Sequence, residues 1–558
     1  MGRTLLTALE SFNKASRPAL FENLSKAHFD LLIIGGGITG ASIFRDAALR
    51  GMRVALLEAN DFASGTSGRS SKLIHGGLRY LKNLGLGLAR ESCQERNLHI
   101  RLNKRLVRPI PFLIPLYRGL GESRAALRFG MLVYEALSGF SNHRFHRFLD
   151  REETLLLAPG LPVDRLTGGC LYYDAVVSDT RWTMEIIKDG VRQGGLALNY
   201  APVVSLRKQN NSVDGAQVED RIGHGSHEIS ARSVVNAAGV FADQIRRMDR
   251  PEAPRLIHLS KGTHLVFTEQ DVPLAVTTVF SSPLDGRPLF LIKRDGCYLY
   301  GTTDDWEEAD PSEPLPAARD VEYLLESIRR FMPEAGLDRT KVQFVYSGFR
   351  PLFSRPNNER DPSRASREDY LEISPSGMIS VVGGKLTTAR ITALRVLERV
   401  REKIRSASAW SPCRTHELSI GGTNEAVAEG LSFWVRQCPG LTDHFRILFQ
   451  RYGLDAHEIC PEAMRIFLGR HPDPRAEPIR AEVQYVCRHE MVCTLEDLID
   501  RRAGFLYWNA EKRLERLRYG ERVIREELNL TESEFGEQFS VYKEHLERLH
   551  SLPPLSSV

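Results

Sequence analysis

Gly35, Gly37 and Gly40 stand in FDLLIIGGGITGASIFRDAALRG, between a continuously apolar run and a pattern with helical spacing. The chemistry open to such a turn is the binding of a pyrophosphate. The first glycine permits the tight turn, the second lets backbone approach phosphate oxygens, and the third lets the helix pack close to the strand with its N-terminus facing the negative charge. Glu58 ends the next apolar run, MRVALLEAN, where an acidic side chain accepts hydrogen bonds from ribose hydroxyls. The spacing does not separate FAD from NAD. The position of the unit near the start of a long chain, ahead of mixed-sheet material, favours a flavoprotein that holds its adenosine end here. A second cluster, SSKLIHGGLRYL, hems Gly76 and Gly77 with Lys72, His75, Arg79 and Tyr80. Cations around a turn with so little side chain at its centre suit an anionic ligand that the backbone approaches closely.

These residues need a scaffold. Residues 29–58 read as strand, glycine turn, helix and strand, the opening unit of a doubly wound domain, with Gly51 stopping the helix. The preceding 28 residues form an appended arm. Strand patterns return at 231–243, 263–270, 288–305 and 372–390; PLFLI and CYLYG flank Arg294-Asp295-Gly296, whose Asp-Gly pair suits a tight hairpin. From about residue 391 the pattern becomes charged and helical, with breaks at Pro439-Gly440 and around Pro472 and Pro474. A chain of 558 residues is too long for one core and implies two or three domains.

Composition narrows the function classes. The net charge of +4 is too weak a bias to argue for nucleic acid, and none is expected as a partner. The eight cysteines include no C-x-x-C pair and no zinc-type His/Cys spacing, so no metal site is expected. No stretch approaches the ~18 uninterrupted apolar residues of a membrane span. The segment 101–137 instead sets Arg101, Lys104, Arg105, Arg108, Arg118, Arg124 and Arg128 around PIPFLIPLY, a pattern that suits either an anionic bilayer surface or a solvated helix face beside a buried loop.

Several blocks together carry a family likeness: DFASGTSGRSSKLIHGGLRYL, HLSKGTHLVF, YGTTD, YSGFRPL, GGKLTTAR and VCRHEMVCTLEDLIDRR. In this order, from about residue 29 to beyond 500, they resemble the FAD-dependent glycerol-3-phosphate dehydrogenases. The resemblance implies oxidation of glycerol 3-phosphate to dihydroxyacetone phosphate, with FAD as cofactor and a membrane quinone as acceptor. It further implies a peripheral enzyme on the cytoplasmic side of the inner membrane, and it leaves a homodimer open. The sequence departs from the family at Val240-Phe241, where proline and tryptophan are usual, and at Lys293-Arg294, which is expected to alter the substrate mouth.

The implied fold is α/β plus α. A discontinuous Rossmann-like FAD-binding domain (29–108, 175–245 and 345–405) is joined by a mixed-sheet substrate domain (109–174 and 246–344). A helical C-terminal domain (406–550) follows, and the arm covers 1–28. By the same resemblance Arg79, Tyr80, Thr303 and Arg367 fall on substrate-binding positions, and His264, Arg350 and Lys385 on catalytic ones. Cofactor contacts fall on Gly35, Gly37, Gly40, Glu58, Ser70, Ser71, His75, Ala238, Gly239, Gly348, Gly384, Leu386 and Thr387.

Oxidising a secondary alcohol requires removal of a hydroxyl proton and of a hydride, hence a base and fixed geometry; a phosphate on the substrate adds a demand for arginine or lysine. Arg79, Arg367 and Lys385 are the expected phosphate ligands. Arg350 is expected to polarise the substrate oxygen, and His264, with an ordinary pKa near working pH, is the first candidate for base. Gly383-Gly384 opens a second glycine-rich helix start whose N–H groups suit the electron-rich edge of a flavin. Gly76 and Gly77 are expected to leave room for ring and substrate. The alternatives are another polyol phosphate such as erythritol 4-phosphate, oxygen as acceptor, or an amine or 2-hydroxyacid substrate.

Overall fold

The computed structural model describes residues 9–78, 85–119, 121, 123–353, 368–404, 410–470, 479–503 and 510–554. Its first sheet has eight strands. His28–Ile34 lies at the centre, parallel to Val54–Leu57 on one side and to Gly225–Asn236 on the other. Six of its seven residues are buried, because a central parallel strand has helices and sheet neighbours to cover both faces. Leu196–Leu198 extends one edge, and Ile379–Val382 with Tyr370–Ile373 the other. The helices Ile38–Leu49, Asp179–Arg192 and Ala389–Lys403 pack beside this sheet, and Ile33, Leu56, Val235, Phe44, Trp182 and Val396 share one apolar core.

The second sheet has ten strands and is mixed. Its long strand Ile257–Thr268 pairs antiparallel with Phe344–Phe353 and with Cys297–Gly301. The hairpin between Pro288–Arg294 and Cys297–Gly301 forms as the Asp-Gly pair requires, with φ of 40° at Asp295 and 82° at Gly296. Lys293 and Arg294 sit at the turn end of this hairpin. Lys293 pairs with Glu269, and buried Arg294 donates to the Val177 carbonyl at 3.0 Å. Both therefore make bonds at the turn end of the hairpin.

Beyond residue 410 the described chain is helical, from Asn424–Gln437 to Glu532–His550, around a core that includes Phe445, Tyr452, Leu498, Ile524 and Leu546. Pro439 opens a short 3-10 helix between two of these helices, while Pro472 and Pro474 lie outside the described residues. Buried charges join this helical part to the first sheet. Arg181 grips both carboxylate oxygens of Glu490 at 2.8 and 2.7 Å, and Lys188 reaches Glu490 and Asp455. The arm carries the helix Arg17–Lys26, and buried Arg17 bonds Asn199 and Asp220. No helix among the described residues is long and apolar enough to cross a membrane.

Candidate active site

The glycine turn is built as its residue types demand. Gly35 has φ of 112°, and a Cβ there would stand 2.5 Å from the Ala237 carbonyl oxygen. At Gly40 a Cβ would meet the Gly35 carbonyl oxygen at 1.9 Å, so the helix can approach the turn only without a side chain. The helix Ile38–Leu49 begins directly after Gly37. The Glu58 carboxylate accepts from Gly36 N–H at 2.6 Å and from Asn60 N–H at 2.9 Å, and burial pushes its pKa up. Ala238 and Gly239 lie in the adjoining turn, where Ala238 N–H donates to Asn236 Oδ1 at 3.2 Å. The space beside Gly239 is open, with nothing within 4 Å of an added Cβ, and at Gly384 only Thr39 Oγ1 lies that close, at 3.9 Å. Open glycine backbone in two turns, at Gly239 and at Gly384 in the turn ahead of the helix that starts only at Ala389, with a carboxylate at the strand end, fits a bound dinucleotide.

The segment from Thr66 to Gly77 forms one wall. Its anchor is Lys72, which is fully buried with φ of 56°. The ammonium donates to Asp179 Oδ1 at 2.6 Å and to the Gly68 carbonyl at 2.9 Å, although burial holds its pKa below the usual lysine range. Ser70 donates to the same carboxylate from its N–H and its hydroxyl, so it fixes the loop. Ser71 Oγ lies 2.9 Å from His264 Nε2, and the imidazole stacks on Tyr346 with ring centroids 4.8 Å apart. His264 Nδ1 is buried and has no hydrogen-bond partner among the described residues.

Gly76 serves a different purpose from the one its sequence suggests. A Cβ on it would meet Tyr134 Oη at 2.4 Å and Cys93 Sγ at 2.5 Å, so the missing side chain makes room for this protein wall. Behind it Asp174 accepts from Arg96 and from the Tyr134 hydroxyl.

Arg350 faces His264 from the neighbouring strand. Its Nη1 lies 3.1 Å from Asp304 Oδ1, and its Nη2 donates to Thr302 Oγ1 at 3.2 Å. Gly262 leaves the space for it, since a Cβ there would stand 2.3 Å from Nη2. Thr303, the residue the sequence points to, offers Arg350 only its carbonyl oxygen, at 3.4 Å. Its hydroxyl accepts Thr263 N–H at 2.9 Å and borders a cavity of about 480 Å³ on the Asp320 face of the sheet. Gly348 packs on Arg69, whose carbonyl oxygen a Cβ would meet at 2.6 Å.

The turn after Ile379–Val382 closes the group. Gly383 would place a Cβ 3.7 Å from the Pro351 carbonyl oxygen, and Gly384 faces Thr39. Thr387 Oγ1 accepts His75 N–H at 3.2 Å, and Leu386 packs against the first core. Residues 383–387 therefore touch the glycine-turn helix, the His75 segment and the Arg350 strand at once, with half-buried Lys385 among them. Arg79, Tyr80 and Arg367 lie outside the described residues. Thr302, Asp304, Gly262 and Asp179 were not singled out from sequence. KGTH offered a signal for Gly262 alone, two positions before His264.

Burial, then Arg350 and Lys72, push His264 down to about 3 from 6.5, so the ring is neutral at physiological pH. The expectation of an ordinary histidine pKa does not hold. Below pH 6.5 the unfolded chain binds a proton here that the folded protein does not, so stability falls as pH drops from 6.5 toward 3. His264→Phe, which keeps the stacking on Tyr346, should lower the slope of unfolding free energy against pH by the equivalent of about one proton in this window. Denaturant titrations from pH 6 to 4 measure it, and an unchanged slope would contradict the assignment.

The sequence profile of the FAD dependent oxidoreductases matches residues 30–390, and that of the C-terminal domain of alpha-glycerophosphate oxidase matches residues 413–535. An aerobic glycerol-3-phosphate dehydrogenase from Staphylococcus aureus is 32% identical over 512 residues, covering 90% of this chain and 91% of that protein. The structure of the glycerol-3-phosphate dehydrogenase from Bacillus halodurans complexed with FAD has a TM-score of 0.81 at 30% identity, covering 98% of this chain and 100% of that one. The L-alpha-glycerophosphate oxidase from Mycoplasma pneumoniae, with FAD bound, has a TM-score of 0.52 at 16% identity over 67% of this chain and 95% of that one, a likeness of fold alone.

Proposed function

The chain belongs to the FAD-dependent glycerol-3-phosphate dehydrogenases, and from that premise we propose that it oxidises sn-glycerol 3-phosphate to dihydroxyacetone phosphate and passes the electrons to a membrane quinone. The observation that carries the reading is the seat of Arg350. A guanidinium held by Asp304 and Thr302, in space cleared by Gly262, stands in the wall that also bears His264 and beside the turn that bears Lys385. Such a group is preorganised to stabilise negative charge on a substrate oxygen.

FAD, held at Gly35, Gly37, Gly40 and Glu58 and at the 383–387 turn, supplies the acceptor for the hydride that leaves the substrate carbon. The residues of the chain do the rest. Lys385, Arg79 and Arg367 bind the phosphate ester, with Tyr80 beside it, and this demand for several cations favours a phosphate over a carboxylate substrate. Arg350 polarises the secondary hydroxyl. His264, a neutral imidazole whose Nε2 shares a hydrogen bond with Ser71 Oγ at 2.9 Å, is the group we assign to take the hydroxyl proton. Oxygen as the acceptor is the second reading. Hydrogen peroxide formed in step with glycerol 3-phosphate consumed in air would favour it, whereas reduction of a soluble quinone with little peroxide supports the first.

PIPFLIPLY, the apolar centre of the patch read from sequence, is instead the strand Arg108–Tyr117 paired inside the second sheet, and buried Arg105 pairs with Glu185, so the membrane reading moves to the helix Arg124–Leu137 and the loop after it. Phe129, Phe140 and Phe145 are 71%, 61% and 58% exposed, with Leu132 also exposed and Arg124, Arg128, Arg144 and Arg147 around them. An apolar face ringed by arginine suits insertion into the headgroup region of an anionic bilayer. The inner side of this helix carries Tyr134, which packs under Gly76, so the face and the site share one element. Phe129→Ser with Leu132→Ser should weaken binding to phosphatidylglycerol vesicles by about tenfold. Co-sedimentation measures it, and undiminished binding would place the membrane contact elsewhere.

A further inference from the structure

We propose that the C-terminal helical domain takes part in holding the flavin, with Asp61, gripped from that domain by Arg501 and Arg502, as the positioning residue for the dinucleotide turn.

Asp61 lies in the loop that follows Glu58 and is fully buried. Its carboxylate accepts from Arg501 Nε at 2.5 Å, from both Nη atoms of Arg502 at 2.8 Å each, and from Asn199 Nδ2 at 2.8 Å. Two arginines from a separately cored helical body thus converge on one carboxylate beside the nucleotide turn. The residues after it reach that turn directly. A Cβ on Gly36 would stand 2.7 Å from the Phe62 ring, Ala63 N–H donates to the Gly36 carbonyl at 3.2 Å, and Ser67 Oγ accepts the N–H of Ile38, the first residue of the phosphate-facing helix, at 2.9 Å.

Between Leu57 and Thr66 the chain has no strand or helix to stiffen it. A loop of this kind holds one shape only where it is tied down; Tyr200 N–H ties it at the Asn60 carbonyl at 2.8 Å, and Asp61 is its fully buried charged tie. The arm closes on the same point. Phe12 packs against Phe62 with ring centroids 6.1 Å apart, and Arg17 bonds the Asn199 that reaches Asp61. The two bodies already dock through Arg181, Lys188 and Arg192, so the Asp61 contact is not needed to attach them. What it adds is the position of the Phe62–Ser67 segment against the glycine turn.

The test is the rate at which FAD leaves the full-length holoenzyme on dilution, read by flavin fluorescence. Asp61→Asn should raise that rate about tenfold. Arg502→Lys, which keeps the charge and loses the two-point grip, should give a smaller rise in the same direction. The control is Arg192→Gln, which breaks an inter-domain pair with Asp455, neither partner of which bonds Asp61. It should lower the thermal midpoint and leave FAD release within about twofold of the parent, a separation that general loosening of the interface does not produce. If Asp61→Asn does not fold, Arg502→Lys decides alone. FAD release from the folded variants no faster than from Arg192→Gln would overturn the proposal.

Discussion

Arg350→Met is expected to slow reduction of the flavin by glycerol 3-phosphate about 10²- to 10³-fold at saturating substrate, the loss seen when a preorganised donor to a developing oxyanion is removed. Methionine fills much of the volume beside Gly262 and removes the charge that faces His264. Asp304 keeps its bond from the Ser260 hydroxyl at 2.5 Å, so the seat does not collapse on an unpaired carboxylate. The bonds described for Arg350 go to Ser260, Thr302, Thr303 and Asp304, none of them in the glycine turn, and flavin content should stay at the parent level. Anaerobic stopped-flow absorbance separates the two quantities. A rate constant within threefold of the parent at full flavin occupancy, about 0.7 kcal/mol in barrier terms, would remove Arg350 from the chemistry.

Lys72→Met should have the largest effect on stability, about 3–5 kcal/mol, because it leaves the Asp179 carboxylate buried without its cation. Asp179 retains donors from Ser70 and from Thr180 N–H, which keep the loss from being greater. The consequence extends to the site, since Lys72 is one of the two cations that depress His264. The imidazole pKa should therefore rise in the variant. Urea unfolding measures the first effect and the acid limb of the stability profile the second. Parent-like stability would mean that the Lys72–Asp179 pair does not anchor the wall.

The parts of this fold that were legible in the sequence are those whose cause is local. Gly35 and Gly40 can be read because a positive φ and a contact of 1.9 Å admit no side chain, and Asp295-Gly296 because a two-residue hairpin demands positive φ angles. The apolar run before Gly35 announces a strand covered on both faces, and it is one. The parts that were not legible depend on partners distant in the chain. Lys72 reads as one of several cations around a turn until the fold brings Asp179 to it. Gly76 reads as space for a ligand, whereas Tyr134 and Cys93 fill that space. His264 was valued for a pKa that burial has removed. Thr303 marked the right turn, after the strand Cys297–Gly301, but its hydroxyl accepts Thr263 N–H and it is the neighbouring Thr302 hydroxyl that meets Arg350.

The arm and the paired arginines near residue 500 belong to the same lesson. Their residues carry no motif that names a role, and only the fold shows that Arg17, Arg501 and Arg502 gather around Asp61 and Asn199. Long-range charge placement of this kind leaves no period or spacing in the sequence for pattern reading to find.

The most direct measurement of the central claim is anaerobic titration of the oxidised holoenzyme with candidate substrates, followed by flavin absorbance. Glycerol 3-phosphate is expected to bleach the flavin stoichiometrically, while glycerol, which lacks the phosphate, and sarcosine, an amine with a carboxylate, leave it oxidised. Bleaching by sarcosine, or by glycerol as readily as by its phosphate ester, would contradict it.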